Sequence, residues 1–360
     1  MQIGIIGLPN SSKTTIFDAL TRENVQTEPF SSGKFEIHSA VVDVPDPRVD
    51  RLAAMFNPRK VTYAQVQYND IAGLDTGANK SGDFSGQLLN AVAANDALLH
   101  VVRAFRDDSV PHVRGSVDPV RDLRDLDSEL MLSDMAIVEH RIERLQKDLK
   151  RPGPTGEAAK VEVELMQRFH AALENEPPIR DLDMTPSEEQ MVRGFKFLSQ
   201  KPVLVVLNVG DDGPADPSKI LAYDHRHSAV IALRGALERE IAQLDEQAAE
   251  MFLTEYGITE PSLRRMIRLS YDLLGLQSFL TAGEDEVRAW TMRKGGTAVE
   301  AAGVIHTDLA RGFIRAEVVS YDDLIAAGSL VEAKQRGTLR LQGRDYVVAD
   351  GDVLNIRFNV

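Results

Sequence analysis

Eight residues near the start of the chain, Gly7-Leu8-Pro9-Asn10-Ser11-Ser12-Lys13-Thr14, have the types and spacing of a phosphate cradle. Such a cradle works because backbone N–H groups converge on an anion while the following helix offers its positive end. In that scheme Asn10, Ser11, Ser12 and Thr15 belong to the nucleotide-binding loop. Lys13 reaches the β- and γ-phosphates, and the Thr14 hydroxyl ligates Mg²⁺. The strict pattern G-x-x-x-x-G-K-[ST] fails at one place, because Ser12 stands where the second glycine belongs. An ordinary strand-to-helix loop is the alternative reading. Two further motifs weigh against it. Asp70-Ile71-Ala72-Gly73 supplies an acidic group for the Mg²⁺ side and a glycine N–H for a γ-phosphate. Asn208-Val209-Gly210-Asp211 places an amide and a carboxylate where one loop can read a purine edge, guanine or adenine.

These motifs need strands to carry them. Gln2–Ile6, Val61–Asn69, 97–102, 202–207 and Ala229–Leu233 read as strands, and the three motifs each follow one of them. Largely apolar strands separated by helix-length segments predict a doubly wound α/β sheet, whose ligands bind at the carboxyl ends of the strands. Between the third and fourth strands, Leu130, Val138, Ile142, Leu145 and Leu149 recur at helical spacings. Arg151-Pro152-Gly153-Pro154 breaks the pattern, and Leu165, Phe169, Ala172 and Leu173 resume it. Two helices joined by a Pro/Gly turn predict an antiparallel, coiled hairpin. It either packs on the sheet or projects as an arm toward a partner. Thr185-Pro186-Ser187-Glu188 is a capping box that opens a third helix. From Ala282 onward the segments are short and β-like: 313–319, 338–341, 346–348 and 353–358. They predict a small α+β module in place of more parallel sheet.

Composition narrows the class. A chain of 360 residues is long enough for two or three domains, and 43% hydrophobic with 27% charged residues is a core-forming mixture. No apolar run reaches the roughly 18–20 residues of a membrane span, and no signal-peptide pattern opens the chain, so a cytoplasmic protein is expected. Zero cysteines exclude thiolate catalysis, Cys-ligated zinc and iron–sulfur chemistry. The formal charge of −14 disfavours a surface coated for non-specific nucleic-acid binding. Residues 281–360 hold 10 Lys/Arg against 12 Asp/Glu, so nearly all of that excess lies in the preceding 280.

With the three motifs in place, the chain resembles the YchF group of the Obg-related, translation-factor-type P-loop NTPases, nearly end to end. The resemblance rests on Val44–Arg48 (VPDPR), Asp70–Leu74 (DIAGL), His100–Arg103 (HVVR), Thr281–Trp290 (TAGEDEVRAW), Ala301–His306 (AAGVIH), Arg311–Glu317 (RGFIRAE) and Arg357–Val360 (RFNV). It implies a P-loop NTPase domain over 1–133 and 197–277, a helical insertion arm over 134–196, and a TGS-type β-grasp domain over 278–360. That last module is shared with threonyl-tRNA synthetases and stringent-response enzymes. The resemblance implies ATP as ligand with Mg²⁺, ribosome or RNA as partner through the TGS domain and arm, and no membrane. It also puts Leu74 where Ras-like GTPases carry a glutamine. A leucine cannot orient water, so hydrolysis should be slow. By context His112, in the loop after the third strand, is the candidate stand-in, joined in the catalytic set by Lys13 and Gly73; a solvated loop histidine is the plainer reading.

Three departures from the family stand out. Ser12 adds a Cβ beside the phosphates. Lys34 occupies the place of the switch threonine, where an ammonium can neutralise charge but not ligate Mg²⁺. Asp211 restores the N-x-x-D spacing of guanine readers, although Val209 replaces their lysine, so GTP stays open beside ATP. The expected function is Mg²⁺-dependent nucleotide binding and slow hydrolysis as a ribosome- or RNA-associated switch. The alternative is a degenerate P-loop scaffold that works through interactions alone. Arg288, Arg293, Lys294, Arg311 and Arg315, with Arg336, Arg340 and Arg344, are the candidate RNA face, or a solvated mixed-charge surface.

Overall fold

The computed structural model describes residues 1–22, 27–32, 35–71, 86–255, 258 and 260–359. In chain order the strands are β1 (Gln2–Ile6), β2 (Thr27–Ser32), β3 (Phe35–Asp43), β4 (Lys60–Thr62), β5 (Gln65–Ile71), β6 (Ala97–Ala104), β7 (Val203–Val209) and β8 (Ser228–Leu233). The C-terminal strands are β9 (Leu276–Ala282), β10 (Glu286–Arg293), β11 (Phe313–Ser320), β12 (Arg340–Gln342) and β13 (Asp352–Phe358). The helices that matter for the site are α1 (Lys13–Arg22), α2 (Pro47–Phe56), α3 (Gly86–Ala93), α4 (Pro119–Asp148), α5 (Pro154–Glu174), α6 (Pro186–Val192) and α7 (Gly235–Ile241). The chain divides into two compact units, Met1–Val41 with Gln67–Met266, and Val42–Val66 with Ile267–Val360.

The first unit is built on a seven-stranded sheet of order β2-β3-β5-β1-β6-β7-β8. Strand β1 runs parallel to β5 and β6, and β7 parallel to β6 and β8. Strand β7 is buried along its whole length, as a central strand covered on both faces must be. Ile6, Leu98, Val102, Val205 and Leu207 share one core with Leu123, Leu126 and Leu130 of α4. Parallel strands put their carboxyl ends on one edge, so the loops after β1, β5, β7 and β8 gather there.

Helix α4 is one unbroken run of 30 residues, capped by Asp118 with Pro119 in the first turn. Its early turns therefore serve the sheet, and its later turns serve the hairpin with α5. The 133/134 junction lies inside this helix. Val138, Leu145, Met166, Phe169 and Phe197 form a separate core for the hairpin. Arg141 and Glu162 clamp the two helices across it at 2.6 Å. Asp134 anchors its base: buried, it accepts hydrogen bonds from the N–H groups of Leu198 and Ser199 and from the Ser199 hydroxyl. The capping box at Thr185 and Glu188 opens α6 as expected.

The second unit holds a six-stranded mixed sheet of order β12-β11-β13-β9-β10-β4. Phe279, Ala301, Ala302, Phe313, Val318 and Leu354 make its core. The stretch expected as one strand over 61–69 is two strands in two sheets. Val44 N–H donates to Ala64 O at 2.7 Å, and this closes a segment that leaves the first sheet after β3 and returns at β5. Val347 makes only an isolated bridge, to Thr297, where a strand was expected over 346–348. Strands β2, β3, β9 and β10 were not among the strands expected from the sequence. In β9 the reason is visible: Gln277 and Ser278 are buried polar residues, satisfied by Val348 O and by the Tyr271 hydroxyl. Among the described residues, no helix is long and apolar enough to cross a membrane.

Candidate nucleotide site

The loop from Gly7 to Lys13 turns sharply from β1 into α1, and glycine at 7 is obligatory. A Cβ there would lie 2.4 Å from Val101 O and 2.8 Å from Ser11 Oγ. Ser11 N–H closes the turn onto Leu8 O at 3.3 Å. Asn10 and Ser12 both adopt left-handed backbone, φ 62° and 71°. Asparagine tolerates that region, whereas serine is strained there by roughly 1–2 kcal/mol. The glycine missing from the strict pattern is thus missing at a position whose backbone favours glycine.

Lys13 is buried, and its ammonium donates to Gly7 O and Leu8 O, both at 3.1 Å. It is thereby curled over the loop it would serve. Thr14 is exposed at the mouth, where the first N–H groups of α1 lack intrahelical acceptors. Its hydroxyl donates to Asp70 Oδ2 at 3.4 Å. A hydroxyl and a carboxylate are the hard oxygen donors that Mg²⁺ takes when phosphate oxygens and water complete its octahedron. Among the described residues no cluster of three or more His, Cys, Asp or Glu could hold a metal alone. The Thr14–Asp70 pair fits a Mg²⁺ that would take its remaining ligands from a nucleotide and water. Ser11 Oγ, buried in the loop without a hydrogen-bond partner, is a further polar atom in the cradle.

Asn208 ties two loops together. Its amide nitrogen donates to Ser11 O at 3.4 Å, and its amide oxygen accepts from Gly235 N–H at 3.0 Å. Gly235 was not legible as a site residue, yet a Cβ there would lie 2.8 Å from Asn208 Oδ1. Val209 is buried in the sheet against Ala104, so it presents nothing to a base, whereas Asp211 is exposed beyond the strand end. Gly73, Leu74 and Lys34 lie outside the described residues.

His112 departs from a solvated loop histidine. Its side chain is 5% exposed, and Nε2 lies 2.9 Å from Asp122 Oδ2 in the first turn of α4. That approach lacks the alignment of a hydrogen bond. Nδ1 accepts from Arg114 N–H at 3.1 Å, which leaves the proton of a neutral ring on Nε2, facing Asp122. Asn10 Nδ2 donates to Pro111 O at 3.1 Å, so the phosphate loop touches the loop that carries His112. His100, on β6 beside Ile6, is fully buried, and that burial, with Lys13 and Arg180 nearby, lowers its pKa to about 3. It is a neutral imidazole under the phosphate loop.

A strand, a phosphate loop with its lysine, a hydroxyl–carboxylate pair and an asparagine bridge, all at one edge of a parallel sheet, define a P-loop NTPase fold. Comparison with known proteins agrees. Residues 2–141 match the family model described as "50S ribosome-binding GTPase", and residues 276–359 match the C-terminal YchF-GTPase model, described as "Protein of unknown function (DUF933)". The chain is 42% identical to the "Ribosome-binding ATPase YchF" of Bacillus subtilis (strain 168), over 99% of each chain. It is 36% identical to the "Obg-like ATPase 1" of Oryza sativa subsp. japonica, over 100% of this chain and 92% of that one. The solved Schizosaccharomyces pombe YchF GTPase superposes with a TM-score of 0.87 at 32% identity, covering 99% of this chain and 97% of that one. The chain belongs to the YchF family.

Proposed function

We propose that this chain binds a purine nucleoside triphosphate with Mg²⁺, hydrolyses it slowly, and uses that cycle to govern association with the ribosome in the cytoplasm. The observation that carries the reading is the pairing of Thr14 with Asp70 beside Lys13, at the carboxyl edge of the sheet. The backbone N–H groups of residues 10–15 would wrap the phosphates, and Lys13 would exchange its carbonyl partners for β/γ oxygens. Thr14 and Asp70 would hold Mg²⁺, whose charge offsets that developing on the phosphates. Asn208 keeps the base-side loop in register with the phosphate loop, and Asp211 is the residue offered to the base. ATP is the first choice, since the full-length bacterial relatives are named ATPases. GTP is the second, on the strength of Asp211 alone.

His112 is the candidate to orient the attacking water, and to do so it must first leave Asp122. Gly73 would contribute a backbone N–H to the γ-phosphate. Contact with the ribosome is assigned to the helical arm (134–196) and the C-terminal module (278–360), which function here as separate parts from the NTPase core (1–133, 197–277). Titration calorimetry with ATP, GTP and their non-hydrolysable analogues tests the reading. Mg²⁺-dependent heat that Lys13→Ala abolishes is the expected result. Absence of heat with either nucleotide at millimolar concentration would leave only the scaffold alternative. Salt-dependent co-sedimentation with ribosomes tests the partner.

A further inference from the structure

Beneath the phosphate loop lies a small pocket lined by Leu8, Ser11, His100, Arg103, His112 and Asp122. Four of these residues are almost wholly buried: Ser11 at 2% exposure, His100 at 1%, Arg103 at 3% and Asp122 at 3%. Ser11 Oγ, His100 Nδ1 and Arg103 Nη1 are buried polar atoms without a hydrogen-bond partner, and Asp122 Oδ2 has only the poorly aligned His112 Nε2 at 2.9 Å. Leaving such an atom unsatisfied costs about 1–3 kcal/mol, and folded interiors hold few of them. With all four residues lining one pocket, a single small polar guest could serve several of these atoms at once.

Chemistry selects the partner. Arg103 Nη1 only donates, Asp122 Oδ2 only accepts, and the Ser11 hydroxyl does either. An anion would suit Arg103 and be repelled by Asp122; a cation would meet the reverse. His100 adds no charge, because burial keeps its ring neutral. The pocket leaves about 10 Å³ for the centre of a water-sized body, about the room that one water needs. Water is uncharged and has two donor and two acceptor sites, which matches a mixed lining.

We propose that this pocket binds one water molecule, and that the water couples Ser11 of the phosphate loop to Asp122, the residue against which His112 rests. The second link between the two loops is the Asn10–Pro111 hydrogen bond. When a phosphate engages the Ser11 segment, the water loses one partner and Asp122 loosens its hold on His112. This coupling rests on the nucleotide-site reading given above, whereas the water site itself does not.

Two measurements on the full chain separate these claims. A nucleotide-free crystal structure that resolves solvent should show one water within hydrogen-bonding reach of at least three of the four atoms. Side chains closed onto one another without solvent would overturn the site, as would an anomalous bromide peak in the pocket after a bromide soak. NMR of ring-labelled histidines then follows His112 while Mg·ADP is added, with the Lys13 and Thr14 amides reporting binding itself. The His112 signals should move in the wild type and move at least about threefold less in Ser11→Ala; Asp122→Asn, which keeps the side-chain shape, should also blunt the response. Amides that move while His112 stays still, or equal His112 shifts in wild type and Ser11→Ala, overturn the coupling. If the amides do not move either, the nucleotide reading falls and the coupling with it, and the crystal alone decides the water.

Discussion

Arg48 Nη1 lies 2.7 Å from Asp350 Oδ2, although 302 residues separate the two in sequence. The same guanidinium folds back on Asp46, the N-cap of α2, while Asp350 Oδ1 accepts from Ser278 N–H at 2.9 Å. One arginine thus fastens a helix start to the turn before β13. Burial works against its charge, and the two carboxylates overcome that and raise its pKa. Arg48→Ala should destabilise the C-terminal unit by about 1–2 kcal/mol. Trp290, the single tryptophan, sits on β10 in that unit and reports its unfolding in urea. Gly351→Ala should cost at least as much, since φ is 85° there and a Cβ would fall 2.6 Å from Arg48 Nη1.

Ser12 is the site where a substitution should improve the protein. Its left-handed backbone is strained for serine, and glycine relieves the strain while adding back some unfolded-chain entropy. Ser12→Gly should therefore raise stability by about 0.5–1 kcal/mol, read from the chemical denaturation midpoint. A midpoint that drops on substitution would mean the serine side chain contributes a contact larger than the strain.

Asn208→Ala should cost about 1–3 kcal/mol, because the Gly235 N–H it satisfies is buried and loses its acceptor. Asn208→Asp keeps an oxygen toward Gly235 but cannot donate to Ser11 O, so it should retain more stability than alanine while losing nucleotide affinity. Thermal unfolding and calorimetry on the two variants separate these effects.

His100 makes a pH prediction with a definite sign. Its folded value of about 3 lies below the ordinary 6.5, so between these the unfolded chain binds a proton that the folded chain does not. Stability contributed by this site is complete above pH 6.5 and falls as pH drops toward 3, by at most about 1.4 kcal/mol per pH unit. His100→Gln should flatten that part of the profile; carboxylate effects are common to both proteins and cancel in the difference. Urea unfolding from pH 7 to pH 4.5 is the measurement.

Much of this architecture was readable because it is written in local pattern. The phosphate loop follows β1, while Asp70 and Asn208 sit in the last residues of β5 and β7, and parallel strands bring such ends to one edge. The α4–α5 hairpin announced itself through helical spacing broken by Arg151-Pro152-Gly153-Pro154. What escaped was long-range. The split of 61–69 between two sheets depends on β4 pairing with β10, more than 200 residues away. Gly235 escaped because a lone glycine after a strand signals only a turn until its asparagine partner is placed. His112 looked solvated because its neighbour Asp122 reads in sequence as an ordinary acidic group in a helix's first turn.

The excursion from Val42 to Val66 bears on the order in which the chain can fold as it is synthesised. Strand β4 is translated early, but its neighbour β10 at residues 286–288 and the Asp350 anchor of Arg48 come only near the end. For most of translation this segment carries an unpaired strand edge, bracketed by β3 and β5 of a sheet that can already assemble. In the full chain β4 is an edge strand with β10 on its one paired side, so a product ending before β10 leaves β4 without a neighbour on either side.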